Sequence, residues 1–106
     1  MKVFISQSMR GLTEDQILRT RSNAVKSAKN YFKRELKEGE EIEIIDSIIA
    51  ENPPATNSES AWFLGKSIEL LSTADRAYFV KGWSESRGCK IEFMVAKEYG
   101  IKFYCE

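Results

Sequence analysis

The chain has 106 residues, the size of one domain spanning residues 1–106, with no room for a large second one. At 42% hydrophobic and 30% charged it is too apolar to read as disordered and can build one core. Sixteen Lys and Arg balance sixteen Asp and Glu, which argues against a nucleic-acid polymer as partner. The absence of histidine removes imidazole triads, the usual neutral-pH proton shuttle and most zinc sites.

Lys2–Ser6 reads as a strand, because Val3, Phe4 and Ile5 are apolar throughout, as in strands buried on both faces of a parallel sheet. A strand here means that the N-terminal run is not a secretory leader. Gln7–Leu12 is a loop broken at Gly11. Thr13 then opens a helix with Gln16 three residues on, a capping box, and Glu14 and Asp15 suit its positive end. Ile17, Leu18, Ala24, Val25, Ala28, Phe32 and Leu36 recur at helical spacing up to Gly39, which ends the helix.

Glu41–Asp46 is the second strand, built on Ile42, Ile44 and Ile45, and a polar, proline-containing loop leads from Asn52 to Ser60. Ala61–Ser72 is a second helix with Leu64, Ile68 and Leu71 as its stripe, and Arg76–Val80 is the third strand. Lys81–Ser86 is a loop. The third helix runs from about Arg87 to Tyr99 with Ile91, Met94 and Val95 inward, Gly100 caps it, and Ile101–Tyr104 is the last strand. This alternation predicts an α/β fold: a three-layer Rossmann- or flavodoxin-like parallel sheet of about four strands, order 2-1-3-4, with helices on both faces.

Ligands of such sheets bind at the carboxyl ends of the strands, where the strand order switches. The site is therefore expected in the loops Gln7–Leu12 and Lys81–Ser86. The first offers Ser6, Gln7, Ser8 and Arg10; Arg grips a phosphate with paired N–H donors and Ser adds short hydrogen bonds. A polar turn with a solvated Arg is the plain alternative. In the second, Ser86 suits an N-cap and Gly88 lets an anion approach the helix start.

Glu92 falls on the side of Cys89 and Ala96, next to the apolar stripe; it is either a surface carboxylate paired with Lys or a nucleophile or base facing a cleft. Trp62 and Trp83 can stack on a base or simply pack, and Asp46 can bind a sugar hydroxyl or make a turn. Cys89 has no histidine to activate it. Cys89 and Cys105 show no metal-ligand spacing, and no stretch approaches membrane-spanning length. The expectation is a cytoplasmic protein with reduced thiols, no metal, no cofactor and no membrane partner.

These segments resemble the nucleoside 2-deoxyribosyltransferase superfamily, and look most like a small bacterial and phage branch without an assigned reaction. The resemblance starts at MKVFISQSMRG, runs through Trp62, Leu64-Gly65-Lys66-Ser67 and Ala74-Asp75, and is strongest at GWSESRGCKIE with Ala96 and Tyr99-Gly100-Ile101. It implies attack of a glutamate on the anomeric carbon of a (deoxy)nucleoside, departure of the base, and passage of the sugar ester to another base or water. Glu92, four residues after Gly88, stands at the nucleophile's position. The related 2′-deoxynucleoside 5′-phosphate N-hydrolases carry Gly-Ser-Ile-Arg-Gly where this chain has Gln7-Ser8-Met9-Arg10-Gly11, and a serine at the position of Ser86. The likeness thus gives Ser8, Arg10 and Ser86 a phosphate-holding role. It also implies a homodimer or larger homo-oligomer.

Three positions depart from the pattern: Phe4 replaces a tyrosine that orients the nucleophile, Ser67 the acid that protonates the leaving base, and Ser86 a frequent aspartate. A nucleophile without its acid loses a factor of roughly 10²–10⁴. Two functions remain open from the sequence: an enzyme acting on the N-glycosidic bond of a (deoxy)nucleoside 5′-phosphate, or a non-catalytic nucleotide-binding sensor or sequestering module of the same fold. A purely structural interaction domain is a third.

Overall fold

The computed structural model describes residues 1–106, and the alternation of side chains along two central strands sets its layers. In β1 (Lys2–Ser6) and β3 (Arg76–Phe79), successive side chains point to opposite faces. Val3, Ile5, Tyr78 and Val80 pack against Ala24, Ala28 and Phe32 of α1 (Glu14–Phe32). Phe4, Ala77 and Phe79 pack on the other face against Leu71 of α2 (Glu59–Leu71) and Ala96 of α3 (Arg87–Glu98). With β2 (Glu43–Ile44) and β4 (Lys102–Cys105) at the edges, the sheet is four-stranded, parallel throughout and ordered β2-β1-β3-β4. This is the expected three-layer α/β fold. Phe4 is wholly within the core.

The helix ends follow their capping residues. Thr13 accepts from the Gln16 amide while the Gln16 side chain accepts from the Thr13 amide, closing the expected capping box. Ser58 caps α2 by accepting from the Ala61 N–H, so that helix starts two residues earlier than Ala61. Ser86 caps α3 by accepting from the Cys89 N–H. Gly100 takes φ +73° just past α3, a conformation glycine adopts without a Cβ penalty.

Three sequence expectations are corrected. α1 ends at Phe32 and not at Gly39; a 3-10 turn over Lys33–Glu35 follows, where Glu35 reaches Arg76 in an ion pair of 3.0 Å. Gly39, with φ +83°, marks a later turn. The second strand shrinks from Glu41–Asp46 to Glu43–Ile44. It is an edge strand with one partner, and Asp46 turns the chain away by accepting from the Ile48 N–H. On α3, Ile91 and Met94 face outward, 38% and 61% exposed, and the buried positions are Cys89, Glu92 and Ala96. Small side chains at 89 and 96 let the helix backbone approach the sheet, which turns Glu92 inward with them.

Candidate functional site

At the carboxyl ends of β1 and β3 the chain leaves the sheet in two directions, α1 toward one face and α3 toward the other. The gap between them holds two adjoining clefts. One, of about 770 Å³, is bounded by Met9, the start of α1, the connection at Ser47–Ile49, α2 and the first turns of α3; its apolar wall includes Ile17, Ile48, Ile49, Phe63 and Leu64. The other, of about 580 Å³, is polar and includes Ser8, Arg10, Lys81, Glu85 and Arg87. Gln7, Ser86, Arg87 and Gly88 line both. This is the switch-point position that the strand order requires.

The polar cleft carries an excess of positive charge. Arg10, Lys81 and Arg87 face it against the single carboxylate of Glu85, and none of the three cations is in an ion pair. α3 points its N-terminus into it. Ser86 takes the Cys89 N–H, which leaves the N–H groups of Arg87 and Gly88 without protein partners. At Gly88 an added Cβ would meet no atom within 4 Å beyond its chain neighbours and its own helix backbone, and Gly88 lines both clefts. Glu106 anchors the adjoining loop by accepting from the Tyr78 hydroxyl and from the Lys81 N–H.

One turn beyond Gly88, Glu92 projects into the wall of the apolar cleft and is 7% exposed. Its Oε1 accepts from the Ser6 hydroxyl at 2.7 Å. Burial pushes the Glu92 carboxyl above the usual range, while the hydroxyls of Ser6 and Ser67 act against that rise. Ser67 lies on the α2 side of the same cleft. Cys89 is buried beside this group and its thiol is pushed up, first by burial, with Ser6 and Ser86 opposing and the Glu92 charge adding to it; a neutral thiol there is a poor nucleophile. Gln7 Oε1 is the buried side-chain polar atom that has no partner, although its Nε2 donates to the Ile17 carbonyl at 3.2 Å.

Of the residues singled out in the sequence, Gln7, Ser8, Arg10, Ser86, Gly88 and Glu92 are gathered around these two clefts, and Ser6 touches them through Glu92. The remaining three lie off both linings. Trp83 stacks on Phe93 with ring centroids 4.5 Å apart, packed against the core. Trp62 packs edge-on against Phe63, with the Lys66 ammonium 5.7 Å over its ring. Asp46 is exposed and makes its turn, while Ser47 beside it faces the cleft and is held by Arg21 at 3.0 Å.

Sequence reasoning missed Phe63 as the aromatic on the apolar cleft and Lys81 and Arg87 as further cations of the polar one. Lys81 opens the loop already singled out and Arg87 follows it, which was signal enough. Phe63 had none, because nothing in the pattern of α2 separates a helix face on the core from one on a cleft.

Fold and site together define a Rossmann-like domain with a paired polar and apolar cleft at its switch point. The chain belongs to the family described as domain of unknown function DUF4406, whose model matches residues 1–104. No curated protein and no solved structure matches it. No helix is long and apolar enough to cross a membrane.

Proposed function

We propose that the chain binds a nucleoside 5′-phosphate, with the phosphate in the polar cleft and the base in the apolar one, and cleaves its N-glycosidic bond with Glu92 as nucleophile. The observation that carries this reading is a buried carboxylate one helical turn from an unneutralised anion pocket. A nucleotide has that layout: an anionic end, then a sugar, then a flat and largely apolar ring. The resemblance to the nucleoside 2-deoxyribosyltransferase superfamily supplies the reaction.

In the first step a Glu92 oxygen bonds to the anomeric carbon, and the carbon–nitrogen bond breaks with its electron pair leaving on the base. Water or a second base then attacks the same carbon, the proton it loses goes to the departed base anion, and the ester bond to Glu92 breaks to restore the carboxylate. Ser67 on the opposite wall has no proton acidic enough to give the leaving base. That observation favours the second reading, a nucleotide-binding module without turnover. Ser67→Asp separates the two readings, because an added acid raises the base-release rate of an enzyme and leaves a pure binder silent.

A thermal-shift panel of nucleosides and nucleoside monophosphates tests the ligand. Monophosphates should stabilise the protein more than the matching nucleosides. Arg10→Ala should weaken monophosphate binding at least tenfold and nucleoside binding little; equal losses for both overturn the phosphate assignment.

Exposed Met9, Leu18, Ile48 and Ile91 rim the apolar cleft. On this reading a second copy of the chain covers them in a homodimer or larger homo-oligomer. This reading calls for no nucleic-acid polymer and no membrane as partner. A nucleotide substrate and two free thiols fit the cytoplasm.

A further inference from the structure

We infer that Ser6 is a positioning residue for Glu92: its hydroxyl, donating to Oε1, turns Oε2 toward the cleft and holds the carboxylate in its attacking form. This rests on the reading of Glu92 as nucleophile, and it gives Ser6 a different task from the substrate contact expected from sequence.

Ser6 is the last residue of β1 and is 1% exposed. Its backbone is fixed in the middle of the sheet, paired in register with Phe79 and accepting from the Val80 N–H at 2.9 Å. A serine side chain has one torsion left to choose, so the sheet itself sets where the hydroxyl lies. The 2.7 Å contact is a well-formed O–H···O hydrogen bond. Ser6 makes the direct hydrogen bond to Oε1, the Ser67 hydroxyl of α2 also favours the charged carboxylate, and Oε2 is not among the sealed, unpartnered atoms. The sheet therefore fixes one oxygen through Ser6, and the carboxylate meets the cleft on the side of Ser67. A carboxylate fixed in this way meets its target without reorganising, which is where most of a positioned nucleophile's advantage arises.

The charged surroundings leave this role to hydroxyls. Cys89 is one turn back on α3, Glu14 of α1 and Arg87 of α3 face the same cleft, and α2 presents the Ser67 hydroxyl. β1 brings Ser6 to Glu92, and β3 brings no titratable group to the cleft. None of the charged groups ranks among the causes that set the Glu92 charge state; burial and the two hydroxyls do. Removing Ser6 takes away a donor that favours the anion, so the protonation midpoint of Glu92 moves up.

The test is a carbon-13 NMR titration of the Glu92 side-chain carboxyl, assigned by its loss in Glu92→Gln, in wild type, Ser6→Ala and Ser6→Cys. Cysteine is near serine in size and a much weaker donor, so the two variants should agree. The midpoint should rise above that of wild type in both. Base release at neutral pH should fall roughly ten- to hundredfold, chiefly in kcat, with nucleotide affinity within about threefold. Folded variants whose Glu92 midpoint equals that of wild type overturn the proposal. If wild type itself releases no base, the nucleophile reading fails, and Ser6 loses its catalytic role with it. A raised midpoint would then show only that the hydroxyl holds the charge.

Discussion

Burying Glu92 disfavours its charged form, and this links the site to stability. A group whose folded-state midpoint is raised binds more protons when folded, so stability falls as pH rises from the unfolded value through the folded one. Glu92→Gln removes that loss. The variant should melt higher than wild type at pH 8, and the gain should vanish near pH 4, below both midpoints; a gain independent of pH contradicts the assignment. Gly88 gives the converse case. Its φ is not positive and nothing in the protein occupies the space of its absent Cβ. Gly88→Ala should therefore stabilise the helix start by up to about 1 kcal/mol, seen as a higher melting temperature. The same methyl should weaken monophosphate binding, measured by calorimetry, because it enters the polar cleft. A variant that binds phosphate as well as wild type places the anion elsewhere.

At the level of elements, the buried face of α3 is the one most easily misread from sequence. Ile91, Met94 and Val95 look like a stripe, yet the helix buries Cys89, Glu92 and Ala96 and leaves Met94 61% exposed. Hydrophobicity alone cannot show that small residues, and not large ones, mark the side closest to a sheet. Met94→Lys should change unfolding free energy by no more than about 0.5 kcal/mol. Ala96→Leu, wedged between helix and sheet, should cost roughly 1–3 kcal/mol; denaturant melts of both check the assignment. Caps were far more legible. Thr13 with Gln16, and Ser86 before α3, are local arrangements whose donors and acceptors lie within three residues. The end of α1 was not, since the contact between Glu35 and Arg76 spans 41 residues of sequence. The edge strand β2 was over-read for a similar reason. Its isoleucines show β propensity, but pairing stops where the Asp46 turn leads away.

In the whole molecule, strand order connects sequence to site. Once β1 and β3 lie side by side in a parallel sheet, their exits must open on one edge, and Ser8, Arg10, Ser86 and Gly88 converge without further instruction. The apolar half was hidden because its wall comes from three segments, α1, the connection at Ser47–Ile49 and α2, that meet only in the fold. Its exposed rim leads to a prediction about assembly. Sedimentation at micromolar concentration should show a dimer or larger species, and Ile91→Glu should shift it toward monomer. A monomer that still binds nucleotide leaves the cleft complete in one chain. The central claim is covalent chemistry at Glu92, and intact-protein mass spectrometry reads it directly. Wild type quenched in acid during incubation with a deoxynucleoside monophosphate should carry an added mass equal to deoxyribose 5-phosphate less one water, located by peptide mapping to Glu92. Glu92→Gln should carry none while binding the nucleotide within a few-fold of wild type. Base release that proceeds undiminished in Glu92→Gln, or nucleotide binding by wild type with neither adduct nor released base, contradicts the account.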